Sequence, residues 1–485
     1  MASYEFGFDD FQNLGCHHLE DGKSVLIAAP TGAGKTIIGE FATFLAEKNG
    51  NRCFYTTPIK ALSNQKYQDL VKLYGDSEVG LLTGDSSINS EARIVVMTTE
   101  VLRNMIYAGS DAIEDLGYVV MDEVHYLADK FRGAVWEEIL IHLPERIQIV
   151  SLSATVSNAE EFGDWLKTVR GETEVVLSEI RPVPLYQHIL IGNRILDLFV
   201  DEGRVNPEIL RIEKNSIKKV PGGSKSWKES KFSSIKSLTR PEIVEKLSER
   251  GFLPAIFFIF SRAGCDGAVA SCIREGLSLT NSLEKEEIRR VIALKTHELP
   301  SEDFGVLGFH EWAQALERGI AAHHAGLLPM FKETIEELFQ RGLLKIVFAT
   351  ETLALGINMP ARSVVLEKLV KWNGESHVNV SPGEYTQLTG RAGRRGIDIE
   401  GNALILWNEQ MDSSIAAGLA STRTYPLRSS FSPTYNMSAN LISRFGHERA
   451  RKSLGFSFAQ FQADKAVVGL ARQIAKNEMA IKTLI

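Results

Sequence analysis

The chain has 485 residues, 44% hydrophobic and 24% charged, more than one core normally organises, so at least two globular domains are expected. With 54 Lys and Arg against 61 Asp and Glu the net charge is −7, which excludes a uniformly basic coat but leaves room for a local phosphate-binding strip. Four cysteines without C-x-x-C spacing (Cys16, Cys53, Cys265, Cys272) and no charge-free stretch of membrane-spanning length argue against a disulfide framework, a zinc site and a membrane, and for a reducing cytoplasm.

At the start of the chain, Phe8-Asp9-Asp10-Phe11-Gln12 is placed to fold back over a nucleotide, with Phe11 available to stack on a base and Gln12 to hydrogen-bond it. The apolar run Ser24-Val25-Leu26-Ile27-Ala28 predicts a strand, and Ala29-Pro30-Thr31-Gly32-Ala33-Gly34-Lys35-Thr36 follows where it gives way to a helix. Backbone N–H groups of such a loop, from Thr31 through Gly34, and the positive end of the helix cradle a triphosphate. Lys35 reaches the β and γ oxygens and the Thr36 hydroxyl holds Mg²⁺, so ATP and Mg²⁺ are the expected cofactors. Ala29 stands where the motif usually has its first glycine. Beyond it, Ile37, Ile38, Phe41, Phe44 and Leu45 recur at helical spacing as a core face, with Glu40, Glu47 and Lys48 pointing outward.

Further β-rich runs, 52–56, 93–97, 118–121 and 148–152, alternate with helical patterns, which predicts a parallel sheet. Each run ends in polar residues: Thr57-Pro58, Thr98-Thr99-Glu100, Asp122-Glu123-Val124-His125 and Ser153-Ala154-Thr155. Ligands of such sheets bind beyond the carboxyl ends of the strands. There Asp122 is suited to hold Mg²⁺ beside Thr36, and Glu123 to polarise an attacking water.

Arg181-Pro182-Val183-Pro184 reads as a stiff connector to a second alternating region. Residues 211–240 carry nine Lys and Arg against two Glu, a composition read as a mobile, solvated insertion in preference to a nucleic-acid contact. Strands are expected over 255–260, 345–349, 363–366 and 403–407, with Ser261-Arg262 and Thr350-Glu351-Thr352 at strand ends. Cys265 and Cys272 read as core, and His323-His324 as groove-lining or packed rather than metal-bound. In Gln387-Leu388-Thr389-Gly390-Arg391-Ala392-Gly393-Arg394-Arg395-Gly396, a helix would bring Gln387, Arg391 and Arg394 onto one face, presenting two guanidinium groups to a triphosphate. Its two glycines, at about 1 kcal/mol each inside a helix, need a reason such as close docking; surface arginines paired with glutamates are the alternative.

Taken together, these segments resemble the DExH-box helicases of superfamily two, specifically the superkiller-type, exosome-associated RNA helicases and their bacterial branch. The resemblance runs from Phe8 to about Gln462. It rests on 29–36, Thr-Pro-Ile-Lys-Ala-Leu at 57–62, Thr-Gly-Asp at 83–85, Asp-Glu-Val-His at 122–125, Ser-Ala-Thr at 153–155, His-His-Ala-Gly-Leu at 323–327, 348–361 and 387–396. It implies an α/β fold of two tandem RecA-like parallel-sheet lobes, 1–178 and 179–425, the second with a polar insertion at about 200–245. A partial winged-helix segment is expected at 426–485. The resemblance assigns Gln12 to adenine, Asp122 and Glu123 to metal and water, and Arg391 and Arg394 to the γ-phosphate as arginine fingers. It also gives Ser153 and Thr155 a role in coupling ATP state to lobe movement, beside His125 of the same Asp-Glu-Val-His box, and places Thr57, Pro58, Thr99 and Thr350 along a nucleic-acid path. Asn358 departs from the related DEAD-box pattern, which has aspartate there. The implied activity is an ATP-dependent RNA helicase on single-stranded RNA, moving 3′ to 5′, in RNA processing or decay, with an exoribonuclease as a candidate partner. Two alternatives remain: a DNA-repair helicase acting on DNA, and a nucleotide-regulated RNA clamp that does not unwind. The resemblance also implies a helical bundle and, in many members, an inserted arch; with these expected to be either truncated here or supplied by another chain, nucleic-acid-stimulated ATP hydrolysis with short-range unwinding from a 3′ tail is expected.

Overall fold

In the computed structural model, residues 7–130, 132–201, 203–216, 237–354, 359–372, 375–408, 411–422 and 424–467 are described. They form two compact units, one of residues 1–180 with 424–485, the other of 181–423.

The first unit is built on strands β1 (Ser24–Ala28), β2 (Arg52–Thr57), β3 (Val79–Thr83), β4 (Ser86–Ile88), β5 (Ile94–Thr98), β6 (Leu116–Met121), β7 (Gln148–Ser153) and β8 (Thr173–Leu177). Their order is β4-β3-β5-β2-β6-β7-β1-β8, with every neighbouring pair parallel except the β3-β4 edge hairpin. Strands buried on both faces need apolar residues on both. In β1, Leu26 and Ala28 enter one core cluster while Val25 and Ile27 enter the other, the alternation that a period of two imposes. Helices α1 (Asp10–Glu20), α2 (Thr36–Asn49), α3 (Lys60–Tyr74), α4 (Thr99–Ala108), α5 (Gly133–His142) and α6 (Ala159–Arg170) accompany the sheet. On α2 the buried face is Ile38, Ala42, Leu45 and Ala46. Phe44, expected there, is 43% exposed and stacks on Phe41 instead, because the two lie one turn apart on a second stripe that the sheet does not cover.

The second unit has strands β9 (Leu185–Ile191), β10 (Arg194–Asp197), β11 (Phe199–Asp201), β12 (Arg204–Val205), β13 (Ala255–Phe258), β14 (Ile320–His323), β15 (Ile346–Ala349), β16 (Ser363–Leu366), β17 (Val370–Trp372), β18 (His377–Asn379) and β19 (Gly401–Leu406). Its main sheet runs β10-β9-β19-β16-β13-β15-β14, parallel apart from β9-β10. Helices α7 (Pro207–Ser216), α8 (Arg240–Glu249), α9 (Arg262–Arg274), α10 (Ser282–Lys295), α11 (Phe309–Glu317), α12 (Pro329–Gln340), α13 (Pro382–Thr389) and α14 (Ser413–Ser421) complete it. Both units are RecA-like parallel-sheet lobes, and Cys16, Cys53, Cys265 and Cys272 are all buried. Within the stretch expected as a polar insertion, 200–216 and 237–245 carry the β11-β12 hairpin, α7 and the start of α8. The basic segment 217–236 lies outside the described residues, as does Asn358.

The region after 425 belongs with the first unit rather than standing apart. Tyr425 pairs with Val156 in a parallel bridge, Asn158 exchanges side-chain hydrogen bonds with both backbone groups of Leu427, and the Trp165 indole donates to the Phe456 carbonyl at 2.7 Å. The next helix, α15 (Tyr435–Gly455), is broken at Gly446, whose φ of 76° is left-handed. Phe458 packs against Phe162 and Trp165, ring centroids 5.2 Å away in both cases. Among the described residues 424–467 there are helices but no strand of a wing.

Candidate active site

Seven parallel strands of the first unit end on one side, and the polar residues that close them meet there. The loop between β1 and α2 turns through Gly32 (φ 81°) and Gly34 (φ 88°), conformations that a side chain resists. Ala29, by contrast, has ordinary backbone angles and sits in the core with its N–H on the Ser153 carbonyl (3.2 Å), which is why alanine serves where the motif has glycine. The Lys35 ammonium donates to the Ala29 and Pro30 carbonyls at 2.8 and 3.1 Å, holding the loop in a curl. Thr36 is the first residue of α2.

Across from the loop, Asp122 follows β6, with its N–H on the Thr56 carbonyl. Its Oδ1 accepts the Glu123 N–H (2.9 Å) and its Oδ2 the Tyr55 hydroxyl (3.1 Å). Burial and the neighbouring Glu123 charge raise its pKa, against the opposing pull of Lys66, Tyr55 and Lys35. Glu123 is a non-glycine residue in the left-handed region, φ 56° and ψ 44°, a strain of about 1–2 kcal/mol that locates the residue where the surrounding fold over-determines it. Burial, reinforced by Lys35, pushes His125 down to about 3, so the ring is neutral. Its Nδ1 lies 3.4 Å from both the Ala154 N–H and Glu123 Oε2. An amide can only donate, so Nδ1 is the acceptor and the contact with Glu123 is not an ion pair. This ring joins the Asp122–His125 segment to Ser153-Ala154-Thr155. Among the described residues, the buried Ser153 hydroxyl has no hydrogen-bond partner.

The oxygen-rich donor set of Thr36, Asp122 and Glu123 fits a hard divalent cation, and a buried carboxylate whose charge is disfavoured fits it further. The orphaned Ser153 hydroxyl beside the loop likewise fits a polar ligand.

Gln12 is fully buried and its amide nitrogen donates to the loop carbonyls of Gly34 (3.0 Å) and Ala33 (3.4 Å), while its oxygen accepts the Asp9 N–H. The residue expected to read a base is thus fastened to the phosphate loop itself. Phe11 is buried in the core beside α2 rather than presented as a stacking face.

The expected nucleic-acid path needs correction. Thr57 Oγ1 bonds Ser63 Oγ (2.7 Å) and the Ile59 carbonyl, and Thr99 Oγ1 bonds the Thr57 carbonyl (2.9 Å), both side chains being buried. These hydroxyls lock the ends of β2 and β5 together and are spent. Pro58 is buried, its carbonyl accepting Arg132 Nη1 (3.1 Å). In the second unit, Thr350 Oγ1 pairs with Thr352 Oγ1.

The arginine segment is corrected too. Ser381 caps α13, but the helix ends at Thr389, so Arg391 and Arg394 do not continue the face of Gln387. Residues 391–393 instead pair with Ala361 as a short parallel bridge, Ala361 N–H on the Arg391 carbonyl and Gly393 N–H on that of Ala361. Arg391 is buried and donates to the Ala354 carbonyl (2.5 Å), while Arg394 makes a bidentate pair with Asp398 (2.7 and 2.8 Å). Gly393, at φ 84°, has no room for a side chain, since a Cβ would stand 2.7 Å from Val183 Cγ1. His323 bonds Glu336, and His324 bonds Asp266 through Nε2 while its Nδ1 accepts the Gly326 N–H. Tyr55 and Lys66, which touch or face this site, were invisible in the sequence, where each is an ordinary strand or helix residue.

A phosphate loop under an Asp-Glu strand end, followed by a second parallel-sheet lobe, defines the helicases of the DEAD/DEAH-box class. Residues 9–162 match the DEAD/DEAH box helicase family and 278–396 the helicase conserved C-terminal domain. Within that class the chain belongs to the superkiller-type DExH-box helicases and their bacterial relatives. It is 56% identical over 98% of its length to the probable helicase HelY of Mycobacterium tuberculosis, covering 54% of that protein. It is 40% identical over 96% of its length to superkiller complex protein 2 of Mus musculus, covering 38% of it. With exosome RNA helicase MTR4 of Homo sapiens the identity is 38% over 98% of this chain and 46% of the relative. The chain spans about half the length of the relatives it matches or less.

Proposed function

We propose that this chain is the motor portion of an ATP-dependent RNA helicase that travels 3′ to 5′ on single-stranded RNA, in RNA processing or decay, with an exoribonuclease as partner. The observation that carries the reading is the strained Glu123 beside Asp122, facing a loop that Lys35 and Thr36 equip for phosphate. Glycines 32 and 34, with Thr31 and Ala33, wrap the phosphates, while Gln12, bonded to the loop carbonyls, and the buried Phe11 brace that loop from α1. Thr36 and Asp122, aided by Glu123, would hold Mg²⁺, which neutralises charge on the β and γ oxygens. Glu123 orients and accepts a proton from the attacking water. Arg391 and Arg394 supply positive charge as it is needed on the transferring phosphoryl group, Arg394 exchanging Asp398 for it, with Gln387 placing the water. His125 carries the state of Glu123 to Ser153 and Thr155, and thence to movement along the strand, which the Thr57-Pro58, Thr99 and Thr350 segments line with backbone groups. The choice of RNA is supported by the similarity to exosome RNA helicase MTR4 of Homo sapiens.

The test is Glu123→Gln, which keeps the phosphate cradle and removes the base. Binding of a fluorescent ATP analogue should be unchanged while RNA-stimulated turnover falls roughly 10³-fold. Turnover near wild type sinks the assignment, and stimulation by DNA but not RNA strands would move it to the DNA-repair alternative.

A further inference from the structure

The Asp122 carboxylate is held at both oxygens, one by the Glu123 N–H and the other by the Tyr55 hydroxyl at 3.1 Å. Tyr55 belongs to β2, where it pairs in register with Val120 of β6, so its ring reaches across the neighbouring strand to the residue just beyond that strand's end. Room for the ring comes from α2. A Cβ on Gly39 would lie 3.0 Å from Tyr55 Cε2, 3.4 Å from its hydroxyl and 3.1 Å from Val120 Cγ1. A glycine inside a helix lowers stability relative to alanine, and here the ring needs the space. On the ring's face sits the Lys66 ammonium, 5.4 Å from the centroid and 3.8 Å from Glu40 Oε1. Glu40, expected to point outward, is therefore turned in toward that buried cation. Ring and hydroxyl are confined from several sides, and the hydroxyl is directed at one carboxylate oxygen.

We propose that Tyr55 is a positioning residue that locks the Asp122 carboxylate in the orientation used to hold the divalent cation, in a slot that Gly39 opens. Resting on the reading of Asp122 as cation holder, it adds a specific partner to that site. Without the hydroxyl, the Asp122 carboxylate keeps, among the described residues, the bond from the Glu123 N–H and turns about its terminal torsion, so the oxygen facing the cation is no longer fixed. Partners of this kind, one shell out from a metal, change affinity by roughly ten- to a hundredfold when removed.

Tyr55→Phe deletes the hydroxyl and keeps the ring. The probe is Mn²⁺ bound to the full chain with ADP, followed by electron paramagnetic resonance. The dissociation constant should rise roughly tenfold, with the same rise in half-saturating Mg²⁺ for ATP hydrolysis. Affinity for a fluorescent ATP analogue in EDTA should stay as in the parent, because the phosphate cradle is untouched. Gly39→Ala, which crowds the ring without removing the hydroxyl, should weaken Mn²⁺ binding in the same direction and add nothing on the Tyr55→Phe background. Equal Mn²⁺ affinity in parent and Tyr55→Phe overturns this inference alone. So does an EDTA affinity that falls as far as the Mn²⁺ affinity, the mark of a purely structural role. A parent chain that binds no Mn²⁺ overturns the cation-site reading and this one with it.

Discussion

Replacing Glu137 by glutamine should stabilise the first unit at pH 8 and remove a pH dependence. Glu137 lies fully buried on α5 and accepts hydrogen bonds from Ser429 Oγ, from the Phe458 N–H (2.7 Å) and from the Ala459 backbone. Burial pushes its carboxyl from the ordinary 4.5 up to about 7, against the pull of those donors. The folded chain therefore holds this proton more tightly than the unfolded chain. Its contribution is most favourable below pH 4.5, declines as pH rises through the window to about 7, and is level above it. At about 1.4 kcal/mol per pH unit, the decline amounts to about 3 kcal/mol. A glutamine oxygen still accepts from Phe458, and its amide donates to the Ser429 hydroxyl, which turns to accept. Hydrogen exchange at the Phe458 and Ala459 amides, followed from about pH 5 to 8 and corrected for intrinsic rates, reads the local opening free energy. It should fall by about 2–3 kcal/mol in the parent across that range and by under about 1 in the variant. A flat parent, or equal slopes in the two, would refute the reasoning.

Arg394→Ala should lower kcat roughly 10³-fold with little change in the KM for ATP, and a pure KM effect would end the arginine-finger assignment. Arg391→Ala should do the same and also lower the unfolding midpoint of the second unit, since its buried bond to the Ala354 carbonyl is worth about 1.5–3 kcal/mol. Thr99→Val should cost about 1 kcal/mol of stability in urea titration while leaving RNA affinity at fixed salt unchanged; lost affinity with full stability would return the hydroxyl to the strand path. Gly393→Ala should destabilise the second unit by at least about 1 kcal/mol, measured by thermal unfolding, because both the left-handed angle and Val183 oppose a side chain.

The phosphate loop was legible because its chemistry is local: a strand, small residues, Lys35 and Thr36 are contiguous, and no distant contact is needed to read them. The same holds for Asp122 and Glu123 at the end of an apolar run. Strand cores such as 24–28 and 363–366 were also read correctly from their apolar runs. Strands β3, β8, β9 and β14 were not, although β3 and β14 contain motif residues: Gly80 interrupts β3, Glu174 sits inside β8, Gln187 and His188 divide β9, and β14 is only Ile-Ala-Ala-His. The spacing from Gln387 onward is helical and places Arg391 and Arg394 on a helix. The pairing of 391–393 with Ala361, more than twenty residues upstream, overrides that local preference, and Gly393 serves the turn rather than a docking face. Thr57 and Thr99 show the same limit, since only the sheet brings one hydroxyl under the other's carbonyl.

The first unit is discontinuous in sequence, and this sets an order of events during synthesis. Phe162 and Trp165 on α6 complete their packing only with Phe458, and the Trp165 indole waits for the Phe456 carbonyl, 291 residues further along. At about 5–20 residues per second a ribosome needs roughly 15–60 s to cover that distance. For that time the nascent amino-terminal lobe carries an uncovered aromatic face while the whole second unit is made and folds. The lobe that leaves the ribosome first is thus the one whose packing is completed last.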